Sequence, residues 1–389
     1  MNSPRYLLRS LAVRQTIGYF GSFIVLGLFL ASIGPTLPEL ARHTGSHLDE
    51  ISFLFTARAL GYLLGSFRIG KVYDRLPGHI LMAIVLLGMG AMSLLTPIIS
   101  QLWLLAIVML LLGVSEGGVD VGGNTLLMWV HGRKVGPFMN SMHFFFGVGA
   151  FIAPILFAQT ILISGDIIWG YWIMAIFTVP VAIWLIRLPA PPAPTKVERE
   201  SKGDVDVLLV TLIALFFFFY VSAEVSFGGW IFTYTTAMGL GSLSGAAYLT
   251  SAFWGAFTTG RLLGIPIASR VRPRNILIVD MLGCLISVGL ILMLPDSLFA
   301  IWVGTIGMGL SMASMFPTML LVAEHRLMLT GALTRWFFVG AGLGGMLLPW
   351  LIGQLFEVVG PQITMVLIGF DLLLTLIVLI LVVRYPHKN

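Results

Sequence analysis

The chain has 389 residues, of which 58% are hydrophobic and only 10% charged, and its mean hydropathy is +0.99. A soluble domain carries about a quarter of charged residues, so this composition excludes a soluble protein and predicts an integral membrane protein. The net charge of +5 is spread along the chain, which argues against a nucleic-acid partner, and the single cysteine excludes an internal disulfide and a cysteine-based metal site.

Apolar stretches about 20 residues long recur along the whole chain, separated by charged or Pro- and Gly-rich breaks. They predict an all-α membrane protein with twelve transmembrane helices. We expect the first helix to be retained rather than cleaved as a signal peptide, because further spans follow at once. The predicted spans are 15–38, 51–70, 79–99, 103–129, 137–162, 169–187, 207–236, 244–268, 275–294, 299–322, 333–355 and 362–383.

Lysine and arginine are concentrated in every second loop that joins these spans. One set is basic, whereas the opposite set contains only Arg42. By the positive-inside rule, this asymmetry predicts a protein of the plasma (inner) membrane with both termini in the cytoplasm and an even number of spans. The basic loops contain Arg5, Arg9, Arg14, Lys71, Arg75, Arg133, Lys134, Arg187, Lys196, Arg199, Lys202, Arg270, Arg272, Arg274, Arg326, Arg384 and Lys388.

One long polar, Pro-rich stretch interrupts this pattern, and it predicts a cytoplasmic linker over 188–206 between six-helix halves at 1–187 and 207–389. A shift of 195 residues brings Gly65 onto Gly260 and Arg75 onto Arg270. The same shift brings Gly147, Gly149 and Pro154 onto Gly342, Gly344 and Pro349. Two pseudo-symmetric halves are typical of transporters that alternate access to a site near the middle of the membrane.

Three polar residues, Glu116, Asp120 and Asn124, follow one another at steps of four in the fourth span, so they share one helix face. A charged side chain at that depth costs about 2.5–3.5 kcal/mol, and such residues usually have a function. Two ionised carboxylates one turn apart repel each other, so we expect a bound cation between them or a proton on one of them. The alternative is a structural ion pair with Arg58 or Arg261.

Candidate substrate-binding residues occur in both halves. Glu224 lies in the seventh span with Gly228 and Gly229 just beyond it, and a glycine pair either bends a helix around a ligand or serves packing alone. Trp230 and Trp254 lie inside spans, where an indole either covers a sugar face or packs. Neutral hydrogen bonds could come from Asn124, Gln15, Tyr19 and Tyr220, while His143 is a candidate gate, proton-linked or packing residue.

Two classes of function lack their sequence features. There is no phosphate-binding glycine loop, so nucleotide hydrolysis is not expected to drive the protein, and no nucleophile–base pair predicts an enzyme. No cofactor is expected beyond a coupling ion, Na⁺ or H⁺.

The segment GKVYDRLPGH at 70–79 contains Gly70, Asp74 and Arg75 in the spacing of a cytoplasmic signature, and GRLLGIPIASRVRPR at 260–274 keeps Gly260 and Arg270 but no aspartate. In this respect the whole chain resembles the major facilitator superfamily. The resemblance implies that Gly70, Asp74, Arg75 and Arg270 belong to the conformational switch between the alternating states. The glycine at 78 and the histidine at 79 depart from the usual pattern.

A narrower resemblance rests on GPTLPELARHT (34–44), ARALGYLLGS (57–66), GGVDVGGNTLLMW (117–129), MHFFFGVGAF (142–151) and EVSFGGWIFTY (224–234). These segments are similar to the sodium-dependent glucose transporter branch and, more distantly, to the proton-coupled fucose permease. Asp120 and Asn124 match the fourth-helix motif of that permease, which implies roles in cation coupling and sugar contact. The permease's first-helix aspartate is missing here, so the resemblance favours Na⁺, with Glu116 and Asp120 as its ligands.

These features predict a secondary transporter, acting as a monomer in the lipid bilayer, that imports a small neutral sugar by cation symport. A proton is the alternative coupling ion. The alternative function is a proton-coupled exporter of amphipathic compounds, although GVGAF in the fifth span lacks the Gly-Pro-Gly-Gly pattern of such exporters. A non-transporting membrane sensor is the third possibility.

Overall fold

The computed structural model describes residues 4–73, 75–192, 206–327 and 331–386, and the regular structure of these residues is helical. A short 3₁₀ turn, Gly132–Lys134, joins two of the helices. The fifteen α-helices are α1 Pro4–Leu30, α2 Ile33–Thr44, α3 Leu48–Ile51, α4 Phe53–Tyr73, α5 Gly78–Leu95, α6 Leu102–His131, α7 Val135–Ser164, α8 Ile168–Ile186, α9 Val207–Ala237, α10 Leu243–Ala268, α11 Pro273–Met293, α12 Leu298–Met312, α13 Met315–Arg326, α14 Gly331–Val359 and α15 Ile363–Arg384.

Among the described residues, ten segments are long and apolar enough to cross a membrane. They correspond to ten of the twelve predicted spans, with α12 and α13 counted together as Leu298–Arg326. The other two predicted spans form α4 and α10, which have 21 and 26 residues. Both are long enough to cross about 30 Å of hydrocarbon at 1.5 Å per residue, but arginines such as Arg58 and Arg261 make them more polar.

The ends of two predicted spans differ from the structure for a local reason. The predicted span 15–38 ends as α1 at Leu30, and α2 begins anew after Ser32. The predicted span 299–322 likewise divides before α13, after Ser314. In both cases a proline, Pro35 or Pro317, falls in the first turn of the second helix, where its missing N–H costs nothing.

The chain divides into two compact units. The first unit comprises Met1–Gly45 and Ala57–Glu198, and the second comprises Ser46–Thr56 and Arg199–Asn389. The described part of the predicted linker, 188–192, contains no helix, and 193–205 lies outside the described residues. In the first unit, α1 packs against α7 and α5 against α8, and in the second α9 packs against α14 and α10 against α12.

Glycines allow close helix contacts inside each unit. A Cβ atom on Gly149 of α7 would lie 2.0 Å from the carbonyl oxygen of Ile24 in α1. In the second unit, a Cβ atom on Gly344 of α14 would lie 2.0 Å from the carbonyl oxygen of Phe218 in α9. Small residues are favoured where membrane helices approach closely, because packing rather than hydrophobicity drives their association. Gly149 and Gly344 are one of the residue pairs related by the 195-residue shift.

Candidate functional site

The contact between α4 and α6 organises the first site. A Cβ atom on Gly113 would lie 2.0 Å from the carbonyl oxygen of Arg58, and one on Gly117 would lie 2.3 Å from that of Tyr62. No side chain fits there, so the glycines let the two backbones approach. Residues four positions apart lie on the same face of a helix. The side chains of α4 therefore meet those of α6 in successive pairs along this contact.

The first of these pairs is a buried ion pair between Arg58 and Glu116, whose relative exposures are 7% and 2%. The Arg58 Nε atom donates to Oε2 of Glu116 over 2.9 Å, and Nη2 donates to Oε1. The same guanidinium donates to the carbonyl oxygen of Phe29 at 2.5 Å and to that of Leu30 at 3.4 Å. Arg58 therefore joins α4, α6 and the carboxyl end of α1, where a positive charge is favourable.

The sequence left open whether Glu116 has a function or forms a structural ion pair with Arg58 or Arg261. The contact with Arg58 is such an ion pair. Both carboxylate oxygens of Glu116 accept hydrogen bonds from the Arg58 guanidinium. Removing one partner of such a pair typically costs 3–5 kcal/mol, because the other charge is left buried and unpaired. The geometry gives Glu116 a structural partner, and its assignment as a Na⁺ ligand stays a prediction.

The second pair connects Tyr62 with Asp120, which is half-buried. The Tyr62 hydroxyl donates a short hydrogen bond to Oδ2 of Asp120. The Asn124 amide donates to Oδ1 of Asp120 at 3.0 Å and to its backbone carbonyl at 2.9 Å. The prediction that Asp120 and Asn124 share one helix face is confirmed. We refer to Arg58, Tyr62, Glu116, Asp120 and Asn124 as the α4–α6 polar cluster.

A second polar group lies in the second unit around Glu224, which is half-buried on α9. Tyr220, one turn earlier, and Arg261 of α10 interact electrostatically with its carboxylate. The Tyr220 hydroxyl also donates to the carbonyl oxygen of Met312 over 3.0 Å. The guanidinium of Arg261 stacks over Phe257, with 4.5 Å between Cζ and the ring centroid. Among the described residues, the buried Nε atom of Arg261 has no hydrogen-bond partner.

The two tryptophans predicted to contact sugar lie in different surroundings. Trp230 donates from Nε1 to the carbonyl oxygen of Pro349 at 3.0 Å, and its ring stacks with Phe55 and Phe356 at centroid distances of 6.1 and 5.2 Å. The buried Nε1 atom of Trp254 has no partner among the described residues. Trp230 thus has the contacts of a packing residue, and the role of Trp254 in sugar binding stays a prediction.

The glycine pair in α9 makes room for aromatic side chains. Helix α9 runs without interruption from Val207 to Ala237, through both glycines. A Cβ atom on Gly228 would lie 2.9 Å from Cζ2 of Trp254, and one on Gly229 would lie 2.7 Å from Cε1 of Phe55. This geometry agrees with the alternative in which the two glycines serve helix packing and do not bend α9 around a ligand.

Gln15 contacts the start of the predicted linker, and Tyr19 is connected to it through His79. Gln15 donates from Nε2 to the carbonyl oxygen of Pro189 at 2.8 Å. The Tyr19 hydroxyl is 2.8 Å from Nε2 of His79, whose Nδ1 is 2.9 Å from the carbonyl oxygen of Leu188. The structure brings these residues together with one another, and it places Tyr19 fully buried against His79. Their role in substrate binding stays a prediction.

The remaining predicted residues lie on α7, near the end of α4 and in the turns that follow α4 and α10. The ring of His143 meets the edge of Phe23 at a centroid distance of 5.4 Å. A Cβ atom on Gly70 would lie 3.2 Å from the Val121 side chain, so Gly70 serves a tight helix contact. Arg75 and Arg270 are exposed in turns that follow α4 and α10. Asp74 lies outside the described residues.

Sequence analysis missed three residues with polar contacts inside membrane spans. Tyr62 has no charge to attract attention, and only its spacing of four from Arg58 signals it. Asp280 of α11 accepts a hydrogen bond from Ser314, and Asp371 of α15 is 5% exposed with a buried Oδ2 that lacks a partner among the described residues. Each aspartate is an acid in a long apolar run, the same signal that singled out Asp120.

Within the described residues, one further group has metal-ligating side chains close together. Ligand atoms of Glu39, His43 and Asp166 lie within 4.8 Å of one another. Glu39 already accepts a hydrogen bond from Arg42 at 2.9 Å and lies 3.1 Å from the ring of His43. This arrangement is that of a surface ion-pair network.

The ten span-length apolar segments among the described residues define an integral membrane protein with many spans. The family model of the Major Facilitator Superfamily matches residues 18–334. The chain belongs to this superfamily of membrane transporters. Neither the fold nor the family indicates an enzyme.

The chain is similar to several characterised proteins over most of its length. It is 30% identical to Sodium-dependent glucose transporter 1A of Mus musculus, with 86% of this chain and 88% of the relative covered. It is 31% identical to Sodium-dependent glucose transporter 1 of Homo sapiens, with 86% and 72% covered. A crystal structure of a variant of the nucleoside transporter NupG has the same fold, with a TM-score of 0.75, 14% identity and coverage of 96% and 100%.

Proposed function

We propose that this protein is a secondary active transporter that imports a small neutral sugar, such as a hexose, together with Na⁺ by alternating access. The two mammalian relatives are sodium-dependent glucose transporters by name, which supports both the substrate class and the ion. The observation that carries the proposal is Asp120, a half-buried carboxylate in mid-span whose oxygens accept hydrogen bonds from Tyr62 and Asn124.

Asp120 is the coupling residue in this proposal. The neighbouring Glu116 is already paired with Arg58, so we assign the cation to the carboxylate of Asp120, the other acid of the α4–α6 polar cluster. Asn124 donates through Nδ2, which leaves its amide oxygen to face the cation or a sugar hydroxyl. Glu116, through its ion pair with Arg58, then positions α6 and is not the main ligand of the cation.

Candidate sugar contacts in the second unit come from Glu224, Arg261 and Trp254. A carboxylate and a guanidinium recognise hydroxyl groups as acceptor and donor, and an indole covers the apolar C–H face of a sugar while its N–H binds a hydroxyl. Among the described residues, Nε1 of Trp254 and Nε of Arg261 have no hydrogen-bond partner, which favours these two residues over Trp230, whose N–H binds Pro349.

The proposal includes twelve spans, with α4 and α10 crossing the membrane beside the ten more apolar segments. Their lengths and their glycine contacts with α6 and α12 support this count. Matching glycine contacts at Gly149 and Gly344 support two pseudo-symmetric halves. The distribution of lysine and arginine supports cytoplasmic termini in the plasma (inner) membrane, and we propose a monomer as the working unit.

Uptake of radiolabelled glucose into proteoliposomes tests the function. We expect an inward Na⁺ gradient to drive accumulation, and an equal gradient of K⁺ or choline to give only equilibration. Accumulation driven by a proton gradient in the absence of Na⁺ would replace sodium by protons as the coupling ion. Failure to move any hexose, together with efflux of amphipathic dyes, would contradict the proposed function.

A further inference from the structure

A surface groove lies between α1 and α8 of the first unit. It has a volume of about 310 Å³ and is lined by Arg14, Pro180, Ile183, Trp184 and Arg187. This volume falls in the range of about 300–1,000 Å³ that is typical of small-molecule sites. None of the proposed coupling or sugar-binding residues lines it, so its ligand is a separate question.

Two contacts hold the groove in shape. The Trp184 indole donates from Nε1 to the carbonyl oxygen of Arg14 over 3.0 Å, which ties α8 to α1. The Arg14 guanidinium lies over the same indole, with 5.7 Å between Cζ and the ring centroid. This cation–π contact restricts the guanidinium before any ligand arrives, so less conformational entropy is lost on binding.

The positive charge of the groove is not balanced by a nearby acid in the part of the chain that the structure describes. The ion pairs found there involve Arg42, His43, His47 and Arg58, but neither arginine of the groove. Arg14 and Arg187 are both exposed. Two guanidinium groups therefore face the groove with their donors directed to solvent or to a ligand.

The groove lies at the level where lipid headgroups meet a membrane protein. Arg14 of α1 directly precedes the predicted span 15–38, and Arg187 directly follows the span Ile168–Ile186. Both arginines therefore lie at the same membrane surface, the one with most of the lysine and arginine. One turn deeper, Ile183 of the groove lining and Ile17 of α1 are 44% and 54% exposed, and we refer to these two side chains as the apolar wall.

We propose that this groove binds an anionic phospholipid, with the phosphate between Arg14 and Arg187 and an acyl chain along Ile17 and Ile183. Guanidinium groups bind phosphate oxygens through paired hydrogen bonds, and basic pockets between membrane helices hold anionic headgroups. Free phosphate would occupy only the arginines and leave the apolar wall uncovered. This site does not depend on which solute the protein transports.

Native mass spectrometry of the full-length protein in neutral detergent tests the proposal. The protein is titrated with phosphatidylglycerol, with phosphatidylcholine of the same acyl chains, and with inorganic phosphate. We expect phosphatidylglycerol to bind in preference to phosphatidylcholine. In the double variant R14Q/R187Q, its affinity is expected to fall about thirty-fold, from about 1 kcal/mol for each arginine.

The variant R272Q/R274Q is the matched control, because it removes two exposed arginines from another basic loop. We expect it to keep the preference for phosphatidylglycerol, and size-exclusion chromatography shows that each variant is folded. An equal loss of affinity in the control variant would mean that overall charge, not the groove, attracts the lipid. Equal binding of both lipids, or full competition by inorganic phosphate at the lipid concentration, would also overturn the assignment.

Discussion

Two carboxylates one turn apart on α6 have different partners. Glu116 is 2% exposed and is paired with Arg58, whereas Asp120 is half-buried and accepts hydrogen bonds from the neutral groups of Tyr62 and Asn124. A carboxylate that is already paired with a guanidinium gains little from a further cation. The structure therefore gives Glu116 a structural partner, and the coupling role of Asp120 stays a proposal.

The variant Asp120→Asn should abolish Na⁺-driven accumulation of sugar and reduce it to simple equilibration, because the mid-span negative charge is lost while the shape is kept. Counterflow, which needs no net movement of the cation, is expected to persist. Uptake and counterflow in proteoliposomes measure the two processes separately. Glu324→Gln, which removes an exposed carboxylate, serves as the control and should transport normally. Accumulation by the Asp120→Asn protein would exclude Asp120 as the coupling residue.

We expect the ion pair of Arg58 and Glu116 to contribute to the stability of the folded protein. Arg58→Met leaves a buried carboxylate unpaired and should lower the free energy of unfolding by about 3–5 kcal/mol. The double variant Arg58→Met/Glu116→Gln should recover most of this loss, since no uncompensated charge remains. Thermal unfolding in detergent of both single variants and the double variant measures the coupling. Additive losses in the double variant would argue that the two charges do not stabilise each other.

At the scale of secondary structure elements, glycines on α6 determine how α4 approaches it. A Cβ atom on Gly113 would lie 2.0 Å from the backbone oxygen of Arg58, which is closer than any real contact. The positions of Arg58 and Tyr62 relative to Glu116 and Asp120 follow from this approach. The α4–α6 polar cluster is therefore a consequence of helix packing as much as of its charged residues.

Gly113→Ala should force α4 and α6 apart, with a lower thermal stability and a loss of Na⁺-driven uptake. Gly289→Ala is the matched control, because Gly289 lies within α11, about one turn before its end, and a Cβ atom there meets nothing within 4 Å. The control should be as stable as the wild type, or more stable by about 0.5–1 kcal/mol, since alanine favours a helix. Thermal unfolding and uptake compare the two variants. Similar behaviour of both would contradict the close packing at Gly113.

At the scale of the whole molecule, coupled transport requires that sugar and cation strengthen each other's binding by the same factor. We expect the dissociation constant of glucose to fall by about 5- to 150-fold when Na⁺ replaces K⁺ or choline at constant ionic strength and pH. Isothermal titration calorimetry of the purified protein measures this effect. An unchanged affinity in all three salts, with proton uptake on sugar binding, would assign the coupling to H⁺.

A second prediction for the whole molecule concerns Arg75 of the cytoplasmic signature. Arg75 is exposed after α4, and its place in the family signature implies a role in switching between states. Arg75→Ala should therefore slow uptake several-fold without changing the affinity for sugar. Turnover from uptake kinetics and affinity from calorimetry distinguish the two effects, with Arg272→Ala as the control. Weaker binding with normal turnover would contradict this role.

Much of the architecture could be predicted from the sequence, because lipid imposes a strong local rule. In hydrocarbon every backbone polar group must be satisfied within its own helix, so long apolar runs become helices wherever they occur. Ten spans, the shared face of Asp120 and Asn124, and the membrane location followed from composition and spacing alone. The helix breaks at Ser32 and Ser314 could not be predicted in this way, because apolar runs continue across them. Only a proline in the first turn of the following helix marks each break.

The partners of the polar side chains were decided only by the tertiary structure. Arg58 lies 58 residues from Glu116, and Trp230 lies 119 residues from Pro349, so no local pattern connects them. Spacing showed that Glu116 needs a partner, but the identity of that partner depends on the register in which α4 packs against α6. Glycine contacts between the two backbones set this register, because a shift of one turn would place Tyr62, and not Arg58, beside the buried carboxylate.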